Sequence, residues 1–295
     1  MKTTFKNNKR ISVLGLGQMG RRIAQLYVEA EYQVTAWNRT PGKVDGLGNI
    51  RLAETAAQAI LASPLIILII SNNKSVLEIL ADLPDIQIFK NKTLINFTTG
   101  SPGEAESIEK IISDVHGAYI HGAIQASPDQ LGLKSATILS SGNKEAFEKY
   151  VNDLAIIGGN IRQLSEQAAA SSAMDTATST WIYGSFLGLI YGAELSRHYG
   201  LSLKDYGTII GEIAPEFIDY FKYEVELIER GDFRATQSTL SNHLAATQRL
   251  ADSFKAINVE QTFPTLINNL LKKAEQNGLG DEELAALSKI IVKHS

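Results

Sequence analysis

ISVLGLGQMGRRIA, residues 11–24, decides the fold. An apolar run ends at Leu14, glycines follow at positions 15, 17 and 20, and Ile23, Leu26 and Tyr27 then recur at helical spacing. A strand that enters a tight glycine turn and leaves as a helix reads as the first βα unit of a dinucleotide-binding domain. Gly15 would make the turn, Gly17 would let a pyrophosphate reach the backbone, and Gly20 would let helix and strand pack closely. The N–H groups and dipole at the helix start favour the phosphates. Gly15, Leu16, Gly17, Gln18 and Met19 are therefore predicted cofactor contacts.

Outward from this unit, apolar runs alternate with helical patterns. YQVTAWN (32–38), PLIILII (64–70), KTLINFTT (92–99), AYIHGAIQ (118–125) and ATILSSG (136–142) read as strands. RRIAQLYVEAE, ETAAQAILAS, KSVLEILADL, PGEAESIEKIISDV and NKEAFEKYVNDLA read as the helices between or after them. Runs so continuously apolar imply a parallel sheet covered on both faces, the doubly wound α/β pattern. From about Leu164 no strand is expected. Residues 166–199 lack proline, and Gly184, Gly188 and Gly192 fall on one face. A helix of roughly 34 residues, about 50 Å long at about 1.5 Å per residue, exceeds the width of a small domain. Its apolar circumference predicts an inter-domain helix, about 165–199, buried in a dimer. Two helices broken near Gly184 are the alternative. The expected domains are residues 1–163 and 164–295.

The totals exclude several classes. With 295 residues, 44% hydrophobic and 20% charged, the chain is a globular protein of two-domain size. A net charge of −4 without a long basic run argues against nucleic-acid or anionic-membrane partners. The absence of cysteine excludes disulfides, thiol catalysis and Cys-ligated zinc, and suits a cytoplasmic location. PLIILII is too short to span a membrane. His198 and His243 lack metal-ligand spacing, so no metal is expected.

The second strand ends in WNRTPGK (37–43). An NAD-binding chain usually places an acid there for the ribose hydroxyls. Asn38 stands in its place and removes a charge that would repel a 2′-phosphate. Arg39 supplies a planar cation for that phosphate, and Thr40 and Lys43 add donors. The predicted cofactor is NADPH. Ligands in open α/β sheets lie at strand carboxyl ends. Ile70, Ser71, Asn72, Asn96 and Thr98 are therefore further candidate cofactor contacts, and Thr99 a substrate contact. Within the long helix, AAASSAMDTATST (168–180) carries one acid, Asp175, among small residues.

Taken together these segments resemble the imine reductases of the β-hydroxyacid dehydrogenase superfamily. The resemblance rests on residues 11–24, VTAWNRTPGKVDGL, INFTTGSPGEA, HGAIQASPDQLGLKSATILSSG, the Asp175 helix and LINNLLKKAEQNGLGDEELAALSKII, in that order. It implies an N-terminal Rossmann domain, a long inter-domain helix and a C-terminal all-α domain. It also implies a reciprocally domain-swapped homodimer and NADPH-dependent reduction of C=N bonds in imines, typically cyclic ones, to amines. Hydroxyacid dehydrogenases of the superfamily carry a lysine and an asparagine where this chain has Asp175 and Ser179. A lysine would repel an iminium. An aspartate can attract it as the anion or protonate the imine as the neutral acid. Asp175 is the expected catalytic residue, with Ser179 one turn on as a substrate contact. His121 replaces an acid usual in imine reductases. Two rivals remain at this point: a hydroxyacid or aldehyde reductase of the same superfamily, and a non-catalytic NADPH-binding protein.

Overall fold

The computed structural model describes residues 9–40 and 48–292. Eight strands form one sheet: β1 (Arg10–Leu14), β2 (Gln33–Trp37), β3 (Arg51–Leu52), β4 (Leu65–Leu68), β5 (Thr93–Asn96), β6 (Ala118–Gln125), β7 (Thr137–Gly142) and β8 (Asn160–Ser165). Their order is β3-β2-β1-β4-β5-β6-β7-β8. Ile11 pairs with Val34 on one side and Leu65 on the other, both in parallel. The chain thus leaves β1 toward β2 and later returns to pair β4 on the opposite edge. That reversal opens a crevice at the carboxyl ends of β1 and β4.

Strand alternation divides the core. Ile11 and Val13 of β1, with Leu65 and Ile67 of β4, join one apolar cluster with Ile23 and Tyr27 of α1 (Gln18–Glu29). Leu14, Ile66 and Leu68 face the other way. There they meet Ile60 of α2 (Ala56–Ala62), Val76 of α3 (Asn73–Ala81) and Ile108 of α4 (Pro102–Asp114). Each such side chain, fully buried, contributes roughly 1.5–3 kcal/mol. α4 starts as its sequence suggests, with Pro102 in the first turn and a reciprocal Ser101–Glu104 capping box.

Two expectations need correction. The sheet is not wholly parallel: β6 and β7 pair antiparallel, with Ile120 opposite Gly142. The connection from Gln125 to Thr137 carries only a short 3-10 turn at Pro128–Gln130. That is the kind of link an antiparallel pair needs, since parallel neighbours require a crossover, usually helical. In addition, β8 follows α5 (Lys144–Leu154), pairs parallel to β7 and reaches Ser165, past the point where strands were expected to stop. The two-residue β3 was not expected either.

α6 (Ala169–His198) runs unbroken for 30 residues through Gly184, Gly188 and Gly192. The alternative of two helices broken near Gly184 is thereby excluded. The chain divides into two compact units, residues 1–180 and 181–295, with the division inside α6. The second unit is helical: the remainder of α6, then α7 (Leu203–Arg230), α8 (Leu240–Ala256), α9 (Thr262–Gln276) and α10 (Ser288–Ile291). Leu240, Leu271, Ala274 and Ala286 form its small core. Among the described residues no helix is long and apolar enough to cross a membrane.

Candidate active site

The β1–α1 turn builds the first cleft. Gly15 has φ +103°, and a Cβ there would lie 2.0 Å from the Ile69 carbonyl oxygen. A Cβ on Gly20 would lie 2.0 Å from the Gly15 carbonyl oxygen. Both positions need glycine for the backbone itself. Gly17 differs: a Cβ there would meet nothing within 4 Å, because the position opens onto the cleft. Gly17 is also the N-cap of α1, and no side chain caps that helix. The first-turn N–H groups are thus available to an anion. This cradle fits a dinucleotide pyrophosphate.

The cleft measures ≈ 480 Å³. Gly15, Gly17, Gln18 and Met19 line one wall, with Ile70 and Ser71 after β4. Asn38, Arg39 and Thr40, after β2, line another. Asn38 ties the two loops together: its Oδ1 accepts from the Leu16 N–H at 3.0 Å and its Nδ2 donates to the Thr40 carbonyl at 2.8 Å. Leu16 itself is buried. Arg39 is exposed at the rim. Lys43 lies outside the described residues.

A second cleft of ≈ 330 Å³ shares Met19, Ile69 and Ile70 with the first. Thr99, His121 and Asp175 supply its polar groups, and Phe97, Ala123 and Ile124 its apolar surface. Asp175 is positioned by the start of α6. Ser171 donates from its hydroxyl to the His121 carbonyl at 3.0 Å and from its N–H to the Ser141 hydroxyl at 2.9 Å. The Ser172 hydroxyl donates to the Gly100 carbonyl. One turn beyond, the Gln125 amide donates to Asp175 Oδ1 at 2.5 Å, and the Thr178 hydroxyl donates to Gln125 Oε1 at 3.3 Å. One carboxylate oxygen is thus held by β6.

The other predicted residues have different surroundings. Asn96 and Thr98 are fully buried and line neither cleft. Thr98 accepts the Ile70 N–H at 3.1 Å, tying the ends of β5 and β4 together. Asn96 donates to Asn73 and Tyr119. Asn72 caps α3 through the Ser75 N–H at 2.8 Å. Ser179 is half-buried and lines neither cleft. Sequence reasoning gave Gln125 no role. The alternation of β6 was the available signal, since residues 121, 123 and 125 share one face of the strand. Burial pushes the His121 imidazole down to about 4 and the Tyr119 phenol well up. Among the described residues no cluster of three or more His, Cys, Asp or Glu could hold a metal.

Comparison with known proteins accords with this geometry. Residues 10–165 match the family described as the NAD-binding domain of 6-phosphogluconate dehydrogenase. Residues 167–293 match the C-terminal domain of the NADPH-dependent reductive aminase-like family. An NADPH-dependent reductive aminase of Aspergillus oryzae is 30% identical over 291 residues, which span 95% of this chain and 96% of that protein. The structure of an imine reductase from a Pseudomonas species superposes with TM-score 0.91 at 28% identity, covering 97% of this chain and all of the other. A reductive aminase of Aspergillus terreus, in complex with NADPH4, cyclohexanone and allyl amine, superposes with TM-score 0.88 at 27% identity over 97% of this chain and all of its own. With these matches running nearly end to end, the chain belongs to the NADPH-dependent imine reductase and reductive aminase family.

Proposed function

We propose that the protein is an NADPH-dependent oxidoreductase that reduces the C=N bond of imines, cyclic ones included, to amines, with Asp175 as its catalytic residue. The observation that carries this is that Asp175 lines a cleft sharing Met19, Ile69 and Ile70 with the dinucleotide cleft. NADPH, when bound, supplies the hydride that reaches the imine carbon. The first turn of α1 and the open face of Gly17 hold the pyrophosphate. Arg39 pairs with the 2′-phosphate, aided by Thr40, and Asn38 keeps anionic charge away from it. Ser71 borders the same cleft.

The carbon is a good electrophile only when its nitrogen is protonated or hydrogen-bonded. Asp175 meets that need at the nitrogen, either as the anion beside an iminium or as the acid that protonates it. Gln125 occupies Oδ1 and leaves Oδ2 for the substrate nitrogen. Thr99 lies at the same cleft as a polar contact, and Phe97 and Ala123 limit water beside it. Ser179 contributes to the substrate side in this proposal through its position one turn from Asp175.

A substrate panel tests the activity. Wild-type protein is expected to turn over simple cyclic imines with NADPH, and to leave short aldehydes with NADPH, and 2- and 3-hydroxyacids with NADP+, untouched. Turnover of hydroxyacids or aldehydes alone would assign the chain to the rival reductases. NADPH binding without oxidation on any substrate would leave a binding protein.

We also propose a homodimer. Tyr183, Phe186, Leu187 and Ile190 form an i, i+3, i+4, i+7 stripe on α6, and they are 70%, 52%, 46% and 56% exposed. Such a stripe seeks a partner surface. The reciprocal swap belongs to this proposal by family resemblance. Sedimentation is expected to read twice 32.1 kDa, and a monomer at micromolar concentration would overturn it. The cysteine-free composition accords with a cytoplasmic location, which cell fractionation would check.

A further inference from the structure

Four buried polar side chains form a hydrogen-bonded row that ends in the second cleft: Asn73 on α3, Asn96 on β5, and Tyr119 and His121 on β6. One backbone group sets the polarity of the whole row. The Thr98 N–H can only donate, and it donates to Asn96 Oδ1 at 3.0 Å. The other branch of Asn96 is therefore its amide nitrogen. Nδ2 donates one proton to Asn73 Oδ1 at 3.0 Å and the other to Tyr119 Oη at 3.1 Å. Tyr119 Oη thus accepts from Asn96. Its own proton goes to Nδ1 of His121, 3.0 Å away, because a buried phenol seldom leaves its proton unpaired. His121 is then a neutral imidazole carrying its proton on Nε2. Burial favours the same state, holding the ring near a pKa of about 4.

Among the described residues Nε2 has no protein partner, and His121 lines the cleft together with Asp175. Gln125, which grips Asp175, lies on the same face of β6 four residues further on. The Nε2–H and the carboxylate are distinct polar groups of one cleft, and each can meet a different atom of one substrate. We infer that His121 is a specificity donor, and that the cleft selects imines bearing a hydrogen-bond acceptor, a carbonyl or ether oxygen, on the carbon skeleton away from the reacting nitrogen. This rests on the imine-reductase reading and deepens it. A fixed donor that faces an apolar ligand is left unpaired, so substrates lacking the acceptor are disfavoured.

The test compares two pyrrolines, one with a propyl arm and one whose arm carries a methoxy oxygen, with NADPH as reductant. Wild-type kcat/KM is expected to favour the ether imine about tenfold, chiefly through KM. His121→Leu should bring the ratio near one. His121→Gln, whose side-chain amide can still donate, should keep part of it. A wild-type ratio near one, or a ratio unchanged in His121→Leu, overturns the assignment. Nitrogen NMR of labelled wild-type protein with NADP+ decides the point even if the variants do not fold. His121 should be protonated at Nε2 alone, and that N–H should shift with the ether amine product and not with the propyl amine. Protonation at Nδ1, or equal responses to both amines, overturns the proposal. Wild-type protein that reduces neither imine overturns the imine-reductase reading instead, and the NMR result still judges the donor.

Discussion

Alanine at position 175 is expected to slow NADPH oxidation with a cyclic imine about 100-fold, the lower end of what a positioned acid or base contributes. That corresponds to about 2.7 kcal/mol of transition-state stabilisation. The loss should fall on kcat and kcat/KM together, because the interaction at nitrogen strengthens as hydride reaches carbon. NADPH affinity should hold, since Asp175 lines the second cleft and not the first. Asp175→Asn should fall with alanine, as an amide neither delivers a proton nor carries negative charge. Activity within about threefold of the parent in either variant would rule out a required role at the nitrogen.

Glutamate at position 39 is expected to weaken NADPH binding about 30-fold or more while leaving NADH within about threefold. A hydrogen bond to a charged group contributes about 1.5–3 kcal/mol, and the reversed charge adds repulsion to that loss. Arg39 sits exposed at the rim, beside Asn38 and Thr40, so its replacement disturbs little of the fold. Titration of both cofactors by fluorescence reads the ratio directly. An unchanged preference for NADPH would show that the 2′-phosphate is recognised elsewhere.

The first βα unit was legible because each of its glycines answers a local demand that spacing alone conveys. Gly15 and Gly20 are required by carbonyl oxygens 2.0 Å from a hypothetical Cβ, whereas Gly17 leaves the backbone open to the cleft. The long helix was legible from an uninterrupted helical pattern without proline. Strand direction was not, because an apolar run reads the same either way along the sheet. The eleven residues between Gln125 and Thr137 held the clue in their lack of a helical pattern. β8 escaped because NIRQLS is short and polar, with no residue in it fully buried. In the site, the strand-end rule drew attention to Asn96 and Thr98 by position. It could not tell that both side chains turn inward to knit neighbouring strands together. Gln125 escaped for the converse reason: its partner, Asp175, lies 50 residues away in the chain, and only the folded sheet brings them together.

The seam at Ser171 and Ser172 has a mechanical consequence. Those two residues clamp the start of α6 to the carbonyls of His121 and Gly100, and the rest of the helix extends from that fulcrum. Asp175 stands four residues out, about 6 Å along the axis. A tilt of about 5° at the clamp would carry the carboxylate only ~0.5 Å. Catalytic geometry can suffer from an error of about 1 Å. The short arm thus keeps Asp175 in step with Gln125.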